Sequence, residues 1–240
     1  MKLNVFVSST RDGIMSSDKK YFPKLTKEER DTLYENTLNR FFSKRGLNSE
    51  NVVIITEKNN EYKAKTATKE NKKYKEQVIV LKETTPYLPV CVETSDSPII
   101  VASAKDQEGK NVCAIALGTI KNINDNILNL MVDTLMKETD AAPFEMTFFI
   151  GACPSKDNYQ LDSIEELTNP LWKGTYEKKK KKYYLDIRYA IFNQLLKEIV
   201  DPNCIYFDSN DTVESNDYYS DFTEKKGKHL ACVVYTDEEV

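Results

Sequence analysis

Residues 90–120 read VCVETSDSPIIVASAKDQEGKNVCAIALGTI, and the fold turns on how this stretch is read. Two runs in it, Pro98–Ser103 and Val112–Leu117, are short, apolar and rich in branched side chains, with a polar turn between them. The expectation is a pair of buried strands. Their far ends open into loops: Thr94-Ser95-Asp96-Ser97-Pro98 before the first, Ala116-Leu117-Gly118-Thr119-Ile120 at the end of the second. Loops at strand ends are where scaffolds carry catalytic and metal-binding side chains. These two hold one carboxylate, Asp96, and neither a histidine nor a cysteine.

Outward from this pair, strand and helix patterns alternate. Further strand candidates are Leu3–Ser8, Asn51–Thr56, Gln77–Lys82, Tyr87–Thr94, Glu145–Ile150, Cys204–Phe207 and Leu230–Tyr235. Helix candidates are Lys27–Arg45, Ile123–Thr139, Ser163–Asn169 and Tyr184–Ile199. In the last, Ile187, Ala190, Ile191 and Leu195 fall near one face, and Pro202 supplies a stop shortly after it. Glu57–Lys75 is polar and lysine-rich and reads as a loop or mobile flap. Lys178–Lys182, within YEKKKKKYY, reads as a solvated connection to the next helix, with a phosphate-binding or anionic-surface role as the alternative. The pattern alone admits several α/β arrangements.

The two loops resemble those of the laccase-domain (polyphenol-oxidase-like) family, which includes zinc-dependent purine nucleoside phosphorylases and bacterial peptidoglycan-editing factors. In that family the first loop reads T-A-D-C-x-P and the second H-A-G-W-R-G. Without gaps, Ser97 stands for the cysteine, Ala116 for the histidine and Ile120 for the arginine. Val52–Asn59 stands where the family has a strand leading into Q-V-H, so Asn59 takes the place of a zinc-ligating histidine. Arg11–Ser16 is similar to R-x-G-G-x-S, Glu35-Asn36-Thr37 to E-N-R, Phe149–Ala152 to I-G-P and Tyr159-Gln160-Leu161 to Y-E-V. Tyr184–Ile187 with Asn193–Leu195 resembles the late helix segment. Tyr218-Tyr219-Ser220 and Gly227-Lys228 stand for F-F-S and T-G-R, without the arginine pair between them. The motifs are short, and their order along nearly the whole chain carries the resemblance. It implies an α+β fold over residues 1–240, a single-domain sandwich of mixed β-sheets covered by helices. It also implies a pocket where the loops converge, with Arg11, Asp96, Gly118, Gly151 and Cys153 as candidate lining.

Composition suits a soluble domain. The chain has 240 residues, 40% of them hydrophobic, enough for a sizeable core. Charged residues make up 30% and the net charge is -4, which argues against nucleic acid as a partner. No apolar stretch approaches the roughly 20 residues of a membrane span, and the N-terminus shows no signal-peptide pattern. Cytoplasmic is the expected location. The five cysteines, Cys91, Cys113, Cys153, Cys204 and Cys232, form no close pair, which argues for free thiols in a reducing compartment. Cys153, after Gly151-Ala152, is the candidate reactive thiol.

Ligand arithmetic then bears on function. A catalytic zinc takes three ligands from His, Cys, Asp or Glu, and the chain has one histidine, His229, expected at the surface or a strand edge. Asn59, Ser97 and Ala116 are degenerate ligand positions, so neither a metal nor another cofactor is expected, and no catalytic residue is assigned. Three classes stay open. The chain is a zinc-free family member, in effect a pseudoenzyme, that binds a nucleoside-like or other small molecule. Alternatively it is an enzyme on purine nucleosides or cell-wall precursors by a zinc-independent route. The third class is a protein-interaction domain with a filled pocket and an unnamed partner.

Overall fold

A strand that is apolar at every position must be covered on both faces, and NVCAIAL and HLACVVYT are such strands. The computed structural model describes residues 1–240 and meets that demand by stacking two sheets between helical layers. The elements in chain order are β1 (Lys2–Val7), α1 (Lys27–Ser43), β2 (Val53–Ile55), β3 (Glu61–Thr66), β4 (Glu76–Lys82) and β5 (Val90–Thr94). Next come β6 (Ile99–Lys105), β7 (Asn111–Leu117), α2 (Ile120–Asn124), α3 (Ile127–Thr139), β8 (Thr147–Ile150) and β9 (Gln160–Leu161). The chain closes with β10 (Tyr176–Lys179), β11 (Lys182–Leu185), α4 (Ile187–Lys197), β12 (Ile205–Phe207) and β13 (His229–Thr236).

One sheet runs β1-β13-β5-β2, the other β12-β8-β6-β7-β4-β3, and a small third sheet runs β10-β11-β9. Both large sheets are mixed, because β2–β5, β3–β4 and β12–β8 are parallel pairs and the rest antiparallel. Alternation along each strand sorts the core into layers. Val90, Val92, Ala231 and Val233 meet Ile79, Leu81, Ile99 and Ile115 between the sheets. Cys91, Leu230, Cys232 and Val234 turn outward onto Leu38, Phe41 and Phe42 of α1. Val78, Val80, Ile100, Ala114 and Ala116 turn the other way, onto α3 and α4. The α+β sandwich expected from the sequence is therefore the fold, and none of its helices is long and apolar enough to cross a membrane.

Several local expectations change. Ile123–Thr139 is two helices, because Asn126 adopts φ 60° and ψ 44° and breaks the run between α2 and α3. Ser163–Asn169 is a series of turns rather than a helix. The Glu57–Lys75 segment contains β3, which adds an edge strand parallel to β4. The lysine run is not a plain connection. Lys178–Lys182 spans the tip of the β10–β11 hairpin, with Lys180 and Lys181 in the turn, Lys179 paired to Glu177 and Asp157 and Lys182 to Asp162. That pairing compensates two of the charges an anionic surface would need. Cys91 and Cys232 are not free: they are direct cross-strand partners on β5 and β13, joined as a disulfide. Sheet register pairs them across 141 residues, so no local spacing announced it, and the cysteine argument for a reducing compartment falls away.

Candidate functional site

The degenerate ligand positions gather at one end of the six-stranded sheet. Ala116 is the penultimate residue of β7 and pairs with Val78 on one side and Ile100 on the other. Asn59 donates its side-chain amide to Glu76 O (3.0 Å) at the start of β4, and its amide oxygen accepts from Thr56 N and Oγ1 (3.3 Å each). Ser97 sits just ahead of β6, in a turn where Thr94 Oγ1 donates to Ser97 O (2.7 Å) and accepts from Ser97 N (3.1 Å). Gly118 and Gly151 join the same place through their N–H groups, which bond Pro98 O (2.8 Å) and Ile99 O (2.9 Å).

This end is tightly packed. A Cβ on Gly151 would lie 2.6 Å from Ile99 Cγ2, and one on Gly118 would lie 3.0 Å from Pro98 Cγ. Both glycines are there for close approach of chain to chain. Ala116 is fully buried on the helix-facing side. Leu117 and Ile120 lie on opposite faces of the sheet: Leu117 in the core between the sheets, Ile120 against the helical layer.

Asp96 is brought to this end but spends its carboxylate on the chain. Thr212 Oγ1 donates to one oxygen and Asp221 N to the other, each at 2.7 Å. Burial raises its pKa, and those hydrogen bonds pull it partly back. Ser95 Oγ also donates to Asp221 Oδ2 (3.0 Å), so the Ser95-Asp96 step clasps the loop between β12 and β13. Cys153 is buried, and burial pushes its thiol up to about 11 even though Arg188 Nε lies 3.3 Å away. A thiol so protonated is a weak nucleophile. Arg11 is exposed and stands apart, lining a shallow cleft of about 300 Å³ with Ser8, Ser9, Asp217 and Tyr218.

His229 is at neither a surface nor a strand edge. It begins the interior strand β13, is 2% exposed, and packs edge-on against Tyr218 (5.3 Å between centroids). Burial lowers its pKa to about 3, and its Nδ1 has no hydrogen-bond partner. The side chain is a neutral imidazole held inside the fold.

A second region is more accommodating. Between α1 and the end of the four-stranded sheet lies a cleft of about 430 Å³. The loop Ser16–Tyr21, Arg30 and Tyr34 of α1, Thr56–Lys58 after β2, Glu93 of β5 and Lys228 line it. Burial raises the Glu93 pKa, against the opposing pull of the Ser16 hydroxyl and the Lys228 ammonium. Burial also raises the phenols of Tyr21 and Tyr34. Neither Glu93 nor Tyr21 is among the candidate residues that the sequence offers. The available signal is Glu93 itself, the one charge in the apolar run VCVET, two positions from the core-facing Cys91 and so on the same face.

These donors do not fit the family's metal. Zinc takes imidazole, thiolate or carboxylate. Asn59 offers an amide already bonded on both sides, Ser97 one hydroxyl and Ala116 a methyl group. No three His, Cys, Asp or Glu side chains cluster so as to hold an ion. Copper fares no better, since multicopper sites draw on several imidazoles and this chain has one.

Comparison with known proteins places the architecture. A sequence model described as "Multi-copper polyphenol oxidoreductase laccase" matches residues 6–236. The crystal structure of the Bacillus licheniformis hypothetical protein YfiH superposes with a TM-score of 0.70 at 15% identity, covering 85% of this chain and 81% of that one. YlmD from Geobacillus stearothermophilus gives 0.69 at 17% identity, over 84% and 79%. Neisseria meningitidis protein NMB0706 gives 0.63 at 16%, over 84% and 80%. At these identities the likeness speaks for fold alone. No curated protein matches the sequence.

Proposed function

We propose that this chain, which belongs to the multi-copper polyphenol oxidoreductase laccase family, has given up metal chemistry and acts by binding a small molecule. The observation that carries the first half is Ala116. A fully buried methyl group, between its strand partners Val78 and Ile100, stands where the resemblance sets a histidine ligand. Without a metal, neither a lowered water pKa nor a polarised oxygen is on hand for hydrolysis or phosphorolysis. The second half is supported by the cleft beneath α1, which is lined mainly by polar and charged side chains.

Elemental analysis of protein purified without added metal, after dialysis against a weak chelator, should find well under one zinc per chain. The same preparation should leave adenosine, inosine and methylthioadenosine intact with phosphate present. Stoichiometric zinc, or turnover of any of the three, overturns the reading. A protein-interaction role has one observation in its favour: Pro98 and Ile99 seal the end of the sheet where the family loops converge.

A further inference from the structure

The cleft beneath α1 contains polar groups that the protein itself does not use. Tyr21 Oη is shut off from solvent and makes no hydrogen bond, whereas nearly every buried polar atom in a folded protein has a partner. The Lys228 ammonium reaches Glu57 Oε1 at 3.2 Å and Ser95 Oγ at 3.4 Å. Glu57 is exposed, so its pairing with Lys228 is weak and exchangeable for another anion. Arg30 donates to the carbonyls of Ser17 (3.0 Å) and Leu25 (2.8 Å), which uses two of its five N–H groups and leaves its charge uncompensated. Lys19 and Lys58 stand exposed at the rim.

The lining holds five cationic side chains against three acidic ones, in a chain whose net charge is -4. That local excess attracts anions. The floor has a different character. Glu93 offers a carboxyl and Ser16 a hydroxyl, an acceptor and a donor that suit alcohol groups. Only the rings of Tyr21 and Tyr34 are apolar, which disfavours a lipid tail. The volume of about 430 Å³ lies in the range of small-molecule sites.

We propose that this cleft binds a small phosphorylated polyol of the sugar-phosphate class. Lys228 and the rim lysines hold the phosphate, while Glu93 and Ser16 hold the hydroxyls. The inference rests on the reading of the chain as a binding protein and adds the site and the ligand class. The test is calorimetric titration of the full-length chain with glucose 6-phosphate, with inorganic phosphate and glucose as separate arms. Saturable one-to-one binding of the ester is expected, with each separate fragment weaker. Lys19→Glu combined with Lys58→Glu, both on the surface, should weaken the ester by about tenfold or more, the equivalent of about 1.4 kcal/mol. Glu93→Gln should weaken the ester and leave inorganic phosphate unchanged. Circular dichroism establishes that each variant is folded. No saturable heat, unchanged affinity in the rim variant, or inorganic phosphate binding as tightly as the ester overturns the proposal. Zinc or nucleoside turnover would overturn the earlier reading without touching this titration, whereas a silent titration on zinc-free, inactive protein overturns only this one.

Discussion

The two large sheets end very differently. Where β4 and β6 of the six-stranded sheet begin and β7 ends, the chain approaches itself so closely that two glycines are needed, and each polar group of Asn59 and Asp96 is spent on a neighbour. Where β2 and β5 of the four-stranded sheet finish, a carboxyl, an ammonium and a phenol gather around a space of about 430 Å³, and the phenol has no partner. The first end has the loops that resemble a family site, with alanine, serine and asparagine where the ligands would stand. The second draws Ser16, Thr56–Lys58 and Lys228 from segments that also carry the resemblance, and holds one unpartnered phenol.

The strongest challenge to this contrast is to put a ligand back. Ala116→His forces an imidazole into a closed layer and buries it unpaired, for a loss of about 3 kcal/mol or more by chemical denaturation. Adding Asn59→His and Ser97→Cys should make stability depend on zinc, because an ion bound only by the folded state stabilises it. If Ala116→His matches the parent in stability, the end is not closed. If the folded triple variant ignores zinc, the correspondence of the three positions with the family ligands is wrong.

His229 belongs to the rigid part of the comparison and supplies a pH test. Its folded pKa is about 3 against an ordinary 6.5, so between those values the unfolded chain takes up a proton that the folded chain refuses. Its contribution is therefore full above about pH 6.5 and falls as the pH drops toward 3, by at most about 1.4 kcal/mol per pH unit. His229→Leu should flatten that part of the curve of unfolding midpoint against pH. An unchanged slope would place the imidazole in contact with water.

Asp96→Asn should be milder. One of Thr212 Oγ1 and Asp221 N then faces an amide NH₂ in place of an oxygen, a loss of about 1–3 kcal/mol. Hydrogen exchange should accelerate mainly in the clasped loop at residues 208–228. A uniform acceleration across β5 and β13 would mean that Asp96 supports the sheet rather than the loop.

The smallest effect should come from the cleft. Glu93 has a raised folded pKa, so its stabilising contribution is present below the ordinary glutamate value and lost as pH rises through the folded one. Glu93→Gln should therefore be as stable as the parent at acid pH and slightly more stable at neutral pH. A clear loss at neutral pH would show that the ionised carboxylate already has partners within the protein, and would blur the distinction between the two ends.

Much of this architecture is legible in sequence. Runs such as NVCAIAL and HLACVVYT are apolar at consecutive positions, which marks interior strands covered on both sides, and the order of short motifs points to a mixed sandwich. Helix ends with a local signal are also readable: Thr26 and Glu29 form a reciprocal cap at the start of α1. Elements without such signals are not. The β10–β11 hairpin turns at Lys180 with φ 56°, a conformation that lysine does not announce. The α2–α3 break falls at Asn126 with φ 60°, which asparagine tolerates, but Asn122, Asn124 and Asn129 in the same run offer the same signal without a break.

Side-chain inventory alone determined which donors exist: one histidine, no cysteine in either loop, and alanine, serine and asparagine at the positions that the resemblance sets against ligands. Folding cannot alter covalent composition, so the argument against zinc at those positions rests on the residue types themselves. What only the tertiary structure decided are relations between distant residues. Register paired Cys91 with Cys232, burial turned His229 into a neutral interior group, and the meeting of β5, α1 and Lys228 made a cleft of residues far apart in the chain. Local sequence sets backbone preference and periodicity, which act over a few residues. Desolvation and pairing depend on what long-range packing brings within a few ångströms, and no local pattern encodes that.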